Sequence, residues 1–251
     1  MTARTSTDRL VVRRLVERDH LADLLRREPV NPVDDGGDTE VFERALADRT
    51  DVDRRVFALV GADDERRTRT VVWVALTVGV PTSLVELTDD RPPTDPEEAD
   101  TAVFWSIWND DTDTPGAGTG IDLIEGAVDL LRSELPRLAT FVTLSPAPGF
   151  REWVLRQGPR PAELAPAAAR YLTALDGSGR PLDRVARFHL RNGARLWRVL
   201  PDADPSTRGR DRSFGLMVNY RYEPEDRAAN RAALGHGEVV VGDDVAALLD
   251  R

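Results

Sequence analysis

Hydrophobic and polar residues recur along the first half of the chain at spacings that predict both helices and strands. Leucines recur among Arg and Asp over about residues 8–27 with a helical period, which predicts a first amphipathic helix. An acidic turn follows, and Thr39 is a possible N-cap for a short helix through Leu46. Strand-like runs then occur between loops rich in Asp, Arg and Pro, at Arg55–Val60, Val71–Val78 and Ala102–Ile107.

The second half shows the same mixture of patterns. Apolar residues at helical spacing predict a helix over about residues 121–134, and Ala139–Leu144 then indicates a strand. A later helix is predicted over Leu182–Leu190, ended by Asn192-Gly193. Residues 214–222 indicate a strand in which Tyr220 and Tyr222 share one face.

Composition limits the chemistry that the chain can perform. With 251 residues, of which 41% are hydrophobic and 31% charged, it is typical of a soluble globular protein with one large or two small domains. The absence of Cys excludes disulfides, Cys-ligated zinc, iron–sulfur clusters and a thiol nucleophile. All 34 basic residues are Arg, and the absence of Lys excludes Schiff-base chemistry, pyridoxal phosphate attachment and a Walker A loop.

Charge and hydropathy also bear on partners and location. The first residues lack the apolar core of a signal peptide and no later stretch resembles a membrane span, so we expect a cytoplasmic protein without membrane contact. A net charge of -10 argues against nucleic-acid binding. Residues 151–212 nevertheless hold 13 Arg against 7 acidic residues, which would attract a small polyanion or would simply be solvated.

A glycine-rich run lies between the strand ending near Trp108 and the helix predicted to begin near Ile121. It consists of Gly116-Ala117-Gly118-Thr119-Gly120. Small residues let a phosphate approach the backbone, and the free N–H groups at a helix start favour an anion. A flexible turn is the alternative, and the spacing is not that of a dinucleotide-binding motif.

The acidic loop over residues 89–100 holds several carboxylates that would suit a metal site. No His lies near them, and Pro92-Pro93 falls among them. We therefore predict a solvated surface there and no metal.

Two residues invite a catalytic interpretation, each with a structural alternative. Ser145 follows the strand 139–144, where it is either a reactive hydroxyl or the N-cap of a helix with Pro146 at its first position. His189 follows Leu182, Val185 and Ala186 at helical spacing, so its imidazole is expected on a buried face, as a core residue bonded to a carbonyl or as a catalytic group. The other two histidines, His20 and His236, are expected to be exposed.

Three segments in order resemble the signature segments of malonyl-CoA decarboxylase. They are Thr143–Phe150, Phe188–Ala194 and Gly215–Tyr222. The likeness extends to Trp73–Thr77, to Phe104–Ile107 and to the helix before Leu135, so it covers most of the chain from about residue 20 onward.

The resemblance implies a fold and a set of site residues. The implied fold is an α/β (α+β) fold of the GNAT N-acetyltransferase type, a mixed central sheet flanked by helices, in a single catalytic domain over residues 1–251 without the family's N-terminal helical oligomerisation domain. The implied catalytic residues are Ser145, His189 and Tyr222. The family also has a catalytic glutamate, for which Gly118 and Asp122 are the two candidate positions here; Asp122 is the preferred one. Substrate contacts are expected from the Gly116–Gly120 run, Asn192 and Asn219.

The implied reaction is the decarboxylation of malonyl-CoA to acetyl-CoA and CO2. The thioester itself accepts the electrons released with CO2, so no cofactor is expected, and CoA is part of the substrate. Alternatives are a substituted substrate such as methylmalonyl-CoA, a malonyl group on an acyl carrier protein in a biosynthetic pathway, an acyltransferase of the same fold, or an acyl-CoA-binding protein without activity.

Overall fold

The computed structural model describes residues 9–88, 92–110 and 119–250, without the side chains of 119–121. Its strands are β1 (Leu10–Leu15), β2 (Arg54–Gly61), β3 (Asp64–Thr77), β4 (Thr101–Asn109), β5 (Thr140–Thr143), β6 (Ser145–Pro146), β7 (Arg195–Leu200) and β8 (Met217–Arg221). Its helices are α1 (Arg18–Arg27), α2 (Thr39–Arg49), α3 (Val85–Thr88), α4 (Thr119–Glu134), α5 (Phe150–Gln157), α6 (Leu164–Thr173), α7 (Arg184–Arg191), α8 (Thr207–Ser213), α9 (Arg227–Gly235) and α10 (Asp243–Leu249). The chain forms two compact units, residues 1–79 with 92–139 and residues 80–91 with 140–251.

The first unit is built on an antiparallel meander of β1, β2, β3 and β4. Val56 of β2 lies opposite Trp73 of β3, and Val71 of β3 lies opposite Trp108 of β4. All eight residues of β2 are buried, and α4 packs on β1, β2 and β3. The three strand predictions for this region are therefore confirmed, with β3 beginning earlier, at Asp64, because its first residues form a hairpin with β2.

The predicted helix over residues 8–27 is wrong in its first half. Residues 10–15 form β1, in which Val12 lies opposite Leu59 of β2. The helical pattern begins only at Arg18, after Glu17, whose carboxylate accepts the N–H groups of Asp19 and His20 as an N-cap. The β-branched pair Val11-Val12 suits a strand, and pairing with a distant partner decides the conformation.

Two further predictions for the first unit need correction. The N-cap of α2 is Asp38 and not Thr39, and the helix continues past Leu46 to Arg49. His20 is buried rather than exposed, and its Nε2 lies 3.1 Å from the Thr68 hydroxyl.

The second unit is organised around β8. Strands β5, β6 and β7 each pair antiparallel with it, with Val142 opposite Arg221, Ser145 opposite Val218, and Leu196 opposite Tyr220. Helix α7 packs on β7 and α9, while α6 packs on β7 and α10. Because β8 has neighbours on both sides, its first four residues are buried.

The strands predicted in the second unit are confirmed with shorter bounds. β8 begins at Met217 rather than Phe214, because Phe214 and Gly215 have φ of 57° and 79° and end α8. Helix α7 is confirmed, but Leu182 lies before it and is exposed, contrary to the prediction. The helix starts after Asp183, whose carboxylate accepts the N–H groups of Val185 and Ala186. Across the described ranges, no helix has both the length and the apolar character needed to cross a bilayer.

Candidate active site

Ser145 lies in β6 and does not cap a helix. The next helix, α5, begins at Phe150 and has Gly149 as its N-cap residue, so the N-cap interpretation of Ser145 is wrong. Ser145 is 6% exposed, and its hydroxyl donates to the Thr143 hydroxyl at 2.9 Å. Pairing of β6 with β8 fixes the backbone of Ser145 opposite Val218. The serine is thus a buried hydroxyl held on a strand.

His189 is positioned by a short helix that is capped at both ends. Asp183 caps the start of α7 and Asn192 its end, and Gly193 leaves the helix with φ of 81°. The imidazole is buried, as predicted. Its Nε2 lies 3.1 Å from Ser145 Oγ and its Nδ1 lies 2.8 Å from the Tyr222 hydroxyl. Both ring nitrogens therefore contact hydroxyl groups, and the alternative of a core histidine bonded to a carbonyl is wrong.

Aromatic side chains enclose the His189 ring. Tyr220 stacks on it with 4.6 Å between centroids and 24° between planes, while Phe188 and Tyr222 meet it edge-on. Burial lowers the pKa of His189 to about 3 and raises the pKa values of Tyr220 and Tyr222 well above their ordinary value. At neutral pH the site of the free protein thus holds a neutral imidazole and two protonated phenols.

Hydrogen bonds of Thr143 and Asn219 hold the chain in place next to Ser145. The Thr143 hydroxyl, besides contacting Ser145, accepts the backbone N–H of Tyr220 at 3.1 Å. The Thr143 carbonyl accepts the side-chain amide of Asn219 at 2.7 Å. Both bonds join the end of β5 to β8. They therefore fix the position of β5, which leads to Ser145, relative to β8, which carries Tyr220.

The buried carboxylate of Asp183 also holds elements of the site in place. Besides capping α7, it accepts the Tyr171 hydroxyl at 3.1 Å and the backbone N–H of Gly149. Burial raises the pKa of Asp183, although the bonds from Ala186, Tyr171, Val185 and Gly149 oppose that rise. The carboxylate thereby connects the helix that carries His189 to the loop that follows Ser145.

The remaining predicted site residues lie in other positions of the described elements or outside them. Asp122 is exposed in α4 of the first unit, and Thr119 and Gly120 are the first two residues of that helix. Gly116, Ala117 and Gly118 lie outside the described residues. Asn192 caps α7. The structure therefore brings Ser145, His189 and Tyr222 together, while the roles of all the residues in catalysis or substrate binding stay predictions.

Metal binding has no support in the described residues. Within them, no group of three or more His, Asp or Glu side chains could hold a metal ion. The described part of the acidic loop includes Asp95, which caps its own turn by accepting the N–H of Glu97.

Four residues that contact or support the catalytic candidates were not predicted as site residues from the sequence. They are Thr143, Tyr171, Asp183 and Tyr220. For Thr143 and Tyr220 the signal was present, because each lies two positions before a candidate, and such residues point to the same side of a strand. Tyr171 lies in α6 and Asp183 is the N-cap of α7. Because both are far from Ser145 in the sequence, no local pattern could link them to it.

Comparison with known proteins agrees with the resemblance noted in the sequence. A model of the malonyl-CoA decarboxylase C-terminal domain matches residues 18–163 and 160–251. Mitochondrial malonyl-CoA decarboxylase of Anser anser anser is 30% identical over 229 residues, which cover 70% of this chain and 45% of the relative. That of Mus musculus is 29% identical over 237 residues, covering 71% and 47%. This chain thus spans about half the length of the curated relatives it matches.

Solved structures are similar to this chain in fold, and some of them also in sequence. The malonyl-CoA decarboxylase from Agrobacterium vitis has a TM-score of 0.85 and 33% identity, covering 95% of this chain and 67% of that one. The loading GNATL domain of CurA from Lyngbya majuscula, at 15% identity and a TM-score of 0.56 over 88% of this chain and 100% of that one, shares the fold alone. The predicted α/β fold of the GNAT type is therefore confirmed. Since the family model covers most of the sequence, this chain belongs to the malonyl-CoA decarboxylase family, in the part described by the C-terminal domain.

Proposed function

We propose that this protein decarboxylates malonyl-CoA to acetyl-CoA and CO2. The observation that carries the proposal is the buried hydrogen-bonded series Ser145–His189–Tyr222 in a chain of this family. Hydroxyl and imidazole groups buried together supply oriented donors, which act more strongly in a site that excludes water. These groups suit a reaction in which negative charge develops on one substrate oxygen.

The reaction needs an acceptor for the electron pair of the bond that breaks. When the bond between Cα and the carboxylate breaks, its two electrons move into the thioester as an enolate, and CO2 leaves. Ser145 would donate to the developing enolate oxygen or to the carboxylate, holding that carboxylate out of the thioester plane. Because the thioester is the electron acceptor, we propose that the reaction needs no further cofactor.

The product also needs one proton on Cα. His189 is neutral in the free protein because burial lowers its pKa to about 3. A malonyl carboxylate beside the ring would raise that pKa, so the ring would take up a proton as the substrate binds. After CO2 leaves, the imidazolium would deliver this proton to Cα, directly or through Ser145, while Tyr222 orients the ring from the other side.

The substrate carrier and the substituent on Cα are part of the proposal. We propose a CoA thioester, and the sequence offers either Gly116–Gly120 or the Arg-rich stretch 151–212 as the candidate contact for its phosphates. Methylmalonyl-CoA as substrate is an alternative that the assay below separates. A malonyl group on an acyl carrier protein and acyl transfer without CO2 loss are further alternatives, which need the carrier-bound substrate and an acyl acceptor, respectively. A cytoplasmic location remains a prediction from the sequence.

The test is incubation of the purified protein with malonyl-CoA and, separately, with methylmalonyl-CoA, following thioester masses and released CO2. We expect acetyl-CoA and CO2 from malonyl-CoA, with loss of activity in Ser145→Ala and His189→Gln. Asp122→Asn tests the preferred position for the family's acid, and we expect it to lower the activity. Turnover of methylmalonyl-CoA alone would favour the substituted substrate, and acyl transfer without CO2 would favour an acyltransferase. Wild-type rates in the His189→Gln variant would refute the role given to the imidazole.

A further inference from the structure

We infer that Thr143 is a positioning residue that sets the direction of the hydrogen bonds through Ser145, His189 and Tyr222, so that His189 carries its proton on Nε2, facing Ser145. Thr143 lies at the end of β5, two residues before Ser145, and its side chain is fully buried. Its hydroxyl is the last oxygen of the series, 2.9 Å from Ser145 Oγ.

The Tyr222 end of the series favours one direction, and the acceptor at Thr143 is what allows the whole series to take it. A neutral imidazole has one N–H donor and one acceptor nitrogen, and its two nitrogens contact Tyr222 and Ser145. A phenol is a better donor and a poorer acceptor than an aliphatic hydroxyl, because it is far more acidic. The Tyr222 hydroxyl is therefore expected to donate to Nδ1, across the shorter contact of 2.8 Å. Burial keeps this phenol protonated, since its pKa is raised.

The rest of the series can follow this direction only if the Ser145 hydrogen has an acceptor other than His189. With Nδ1 accepting, the imidazole proton is on Nε2, and it is donated to Ser145 Oγ over 3.1 Å. Ser145 has one hydroxyl hydrogen, which needs another acceptor; in the free protein Thr143 Oγ1 provides it, and in the complex a substrate oxygen would take its place. In a nucleophilic serine–histidine pair the bond runs the other way, from the serine hydroxyl to the imidazole.

Thr143 is held firmly enough to serve as this acceptor. The backbone N–H of Tyr220 donates to its hydroxyl, and the Asn219 side chain donates to its carbonyl. Both donors come from β8, so the acceptor for Ser145 is fixed by the strand that also carries Tyr222. With Nε2 already carrying a proton, the proton that the ring takes up when substrate binds goes to Nδ1, and the Nε2 proton can then pass toward Ser145 and the substrate, leaving the ring neutral. This catalytic part of the inference rests on the proposed decarboxylation.

The direct test is the tautomer of His189 in the free protein, assigned by 15N and proton NMR of histidine-labelled protein near pH 7, with His189→Gln identifying the signals. We expect the proton on Nε2 in the wild-type protein and in Thr143→Ser, which keeps the hydroxyl. In Thr143→Val the Ser145 hydrogen loses its acceptor and turns to Nε2, so the imidazole proton should move to Nδ1. Thr140→Val, three residues earlier on the same strand, is the matched control and should keep the wild-type tautomer.

Activity gives a second readout. We expect Thr143→Val to lower kcat for decarboxylation about tenfold, the scale on which one hydrogen bond changes a rate, with KM nearly unchanged and with recovery in Thr143→Ser. A wild-type protein with its proton on Nδ1, or a Thr143→Val variant that keeps Nε2–H and full kcat, would overturn the inference. If the tautomers behave as expected but malonyl-CoA is not decarboxylated, the proposed function fails and the role of Thr143 in directing the hydrogen bonds stands.

Discussion

The imidazole of His189 lies face to face with the ring of Tyr220, 4.6 Å away between centroids, while the Tyr220 hydroxyl has no hydrogen-bond partner among the described residues. The ring and the hydroxyl of Tyr220 therefore have different effects on the site. The ring restricts how the imidazole can tilt, and the hydroxyl is a buried polar group without compensation.

Substitutions at Tyr220 should separate the two effects. Tyr220→Phe keeps the stacked ring and removes the unpaired hydroxyl, so we expect stability equal to the wild type or higher by up to about 1 kcal/mol, with activity retained. Tyr220→Leu removes the stack and should cost about 2 kcal/mol or more and lower kcat. Urea unfolding and steady-state kinetics measure both. A Tyr220→Phe protein that loses its activity would show that the hydroxyl acts in the reaction.

The buried imidazole should also make the protein sensitive to acid. In the unfolded chain the His189 pKa is near 6.5, whereas in the folded protein it is lowered to about 3, so unfolding takes up a proton between these pH values. The stability contributed by the neutral ring is complete above about pH 6.5 and decreases as the pH falls toward 3. The slope due to this residue should reach about 1.4 kcal/mol per pH unit.

The measurement is the free energy of unfolding between pH 8 and pH 4 for the wild type and His189→Gln. We expect the variant to be less stable at neutral pH because it loses the aromatic packing of the imidazole, so the informative quantity is the difference between the two slopes. Other titrating groups, including Glu28 and Asp183 with their raised pKa values, contribute to both proteins and cancel in that difference. Parallel curves below pH 6.5 would contradict a buried neutral His189.

The N-terminal segment shows why part of the fold could not be predicted from the sequence. Residues 10–27 carry apolar side chains at spacings that a continuous helix would also bury, yet β1 occupies the first six positions. The deciding partner, β2, begins at Arg54, and no local pattern reveals pairing across such a separation. The buried parts of β2, β3 and β4 were predictable because each is a nearly unbroken run of apolar residues, most of them β-branched or aromatic.

The candidate site was predictable to a different extent. Local motifs and the family resemblance indicated Ser145, His189 and Tyr222, but their contacts join residues 44 and 33 positions apart. The burial of His189 followed from helical periodicity. The exposure of His20 was predicted wrongly, because its ring is covered by contact with Thr68 of β3, which a charged helix sequence does not reveal.

Asp183 should be tested by two replacements that differ in what they keep. Asn is as good an N-cap as Asp, so Asp183→Asn retains the bonds to the start of α7. Asp183→Ala loses the cap and leaves the buried Tyr171 hydroxyl without its acceptor. We expect a loss of about 3 kcal/mol for the alanine variant and a clearly smaller loss for the asparagine variant. Equal losses in thermal or urea unfolding would show that the cap is not what Asp183 contributes.

The close approach of Gly149 to Tyr171 predicts a specific coupling between these two positions. A Cβ placed on Gly149 would lie 2.4 Å from the Tyr171 hydroxyl oxygen and 3.6 Å from the ring carbon that bears it. The backbone itself tolerates alanine, since Gly149 has φ of -92°. Gly149→Ala alone should therefore cost about 1–3 kcal/mol through overpacking.

In the Tyr171→Phe background the clashing oxygen is gone, so Gly149→Ala should cost less than about 0.5 kcal/mol there. A double-mutant cycle of unfolding free energies should therefore give a coupling of at least about 0.5 kcal/mol. Gly177→Ala serves as the matched control, because a Cβ at Gly177 meets nothing within 4 Å and should leave stability unchanged in both backgrounds. Gly149 is the N-cap of α5, the helix after Ser145, and Tyr171 binds the carboxylate that caps α7. We therefore expect the double variant to decarboxylate malonyl-CoA faster than Gly149→Ala alone. Additive free energies in the cycle would mean that the cost of alanine arises elsewhere than at the Tyr171 hydroxyl.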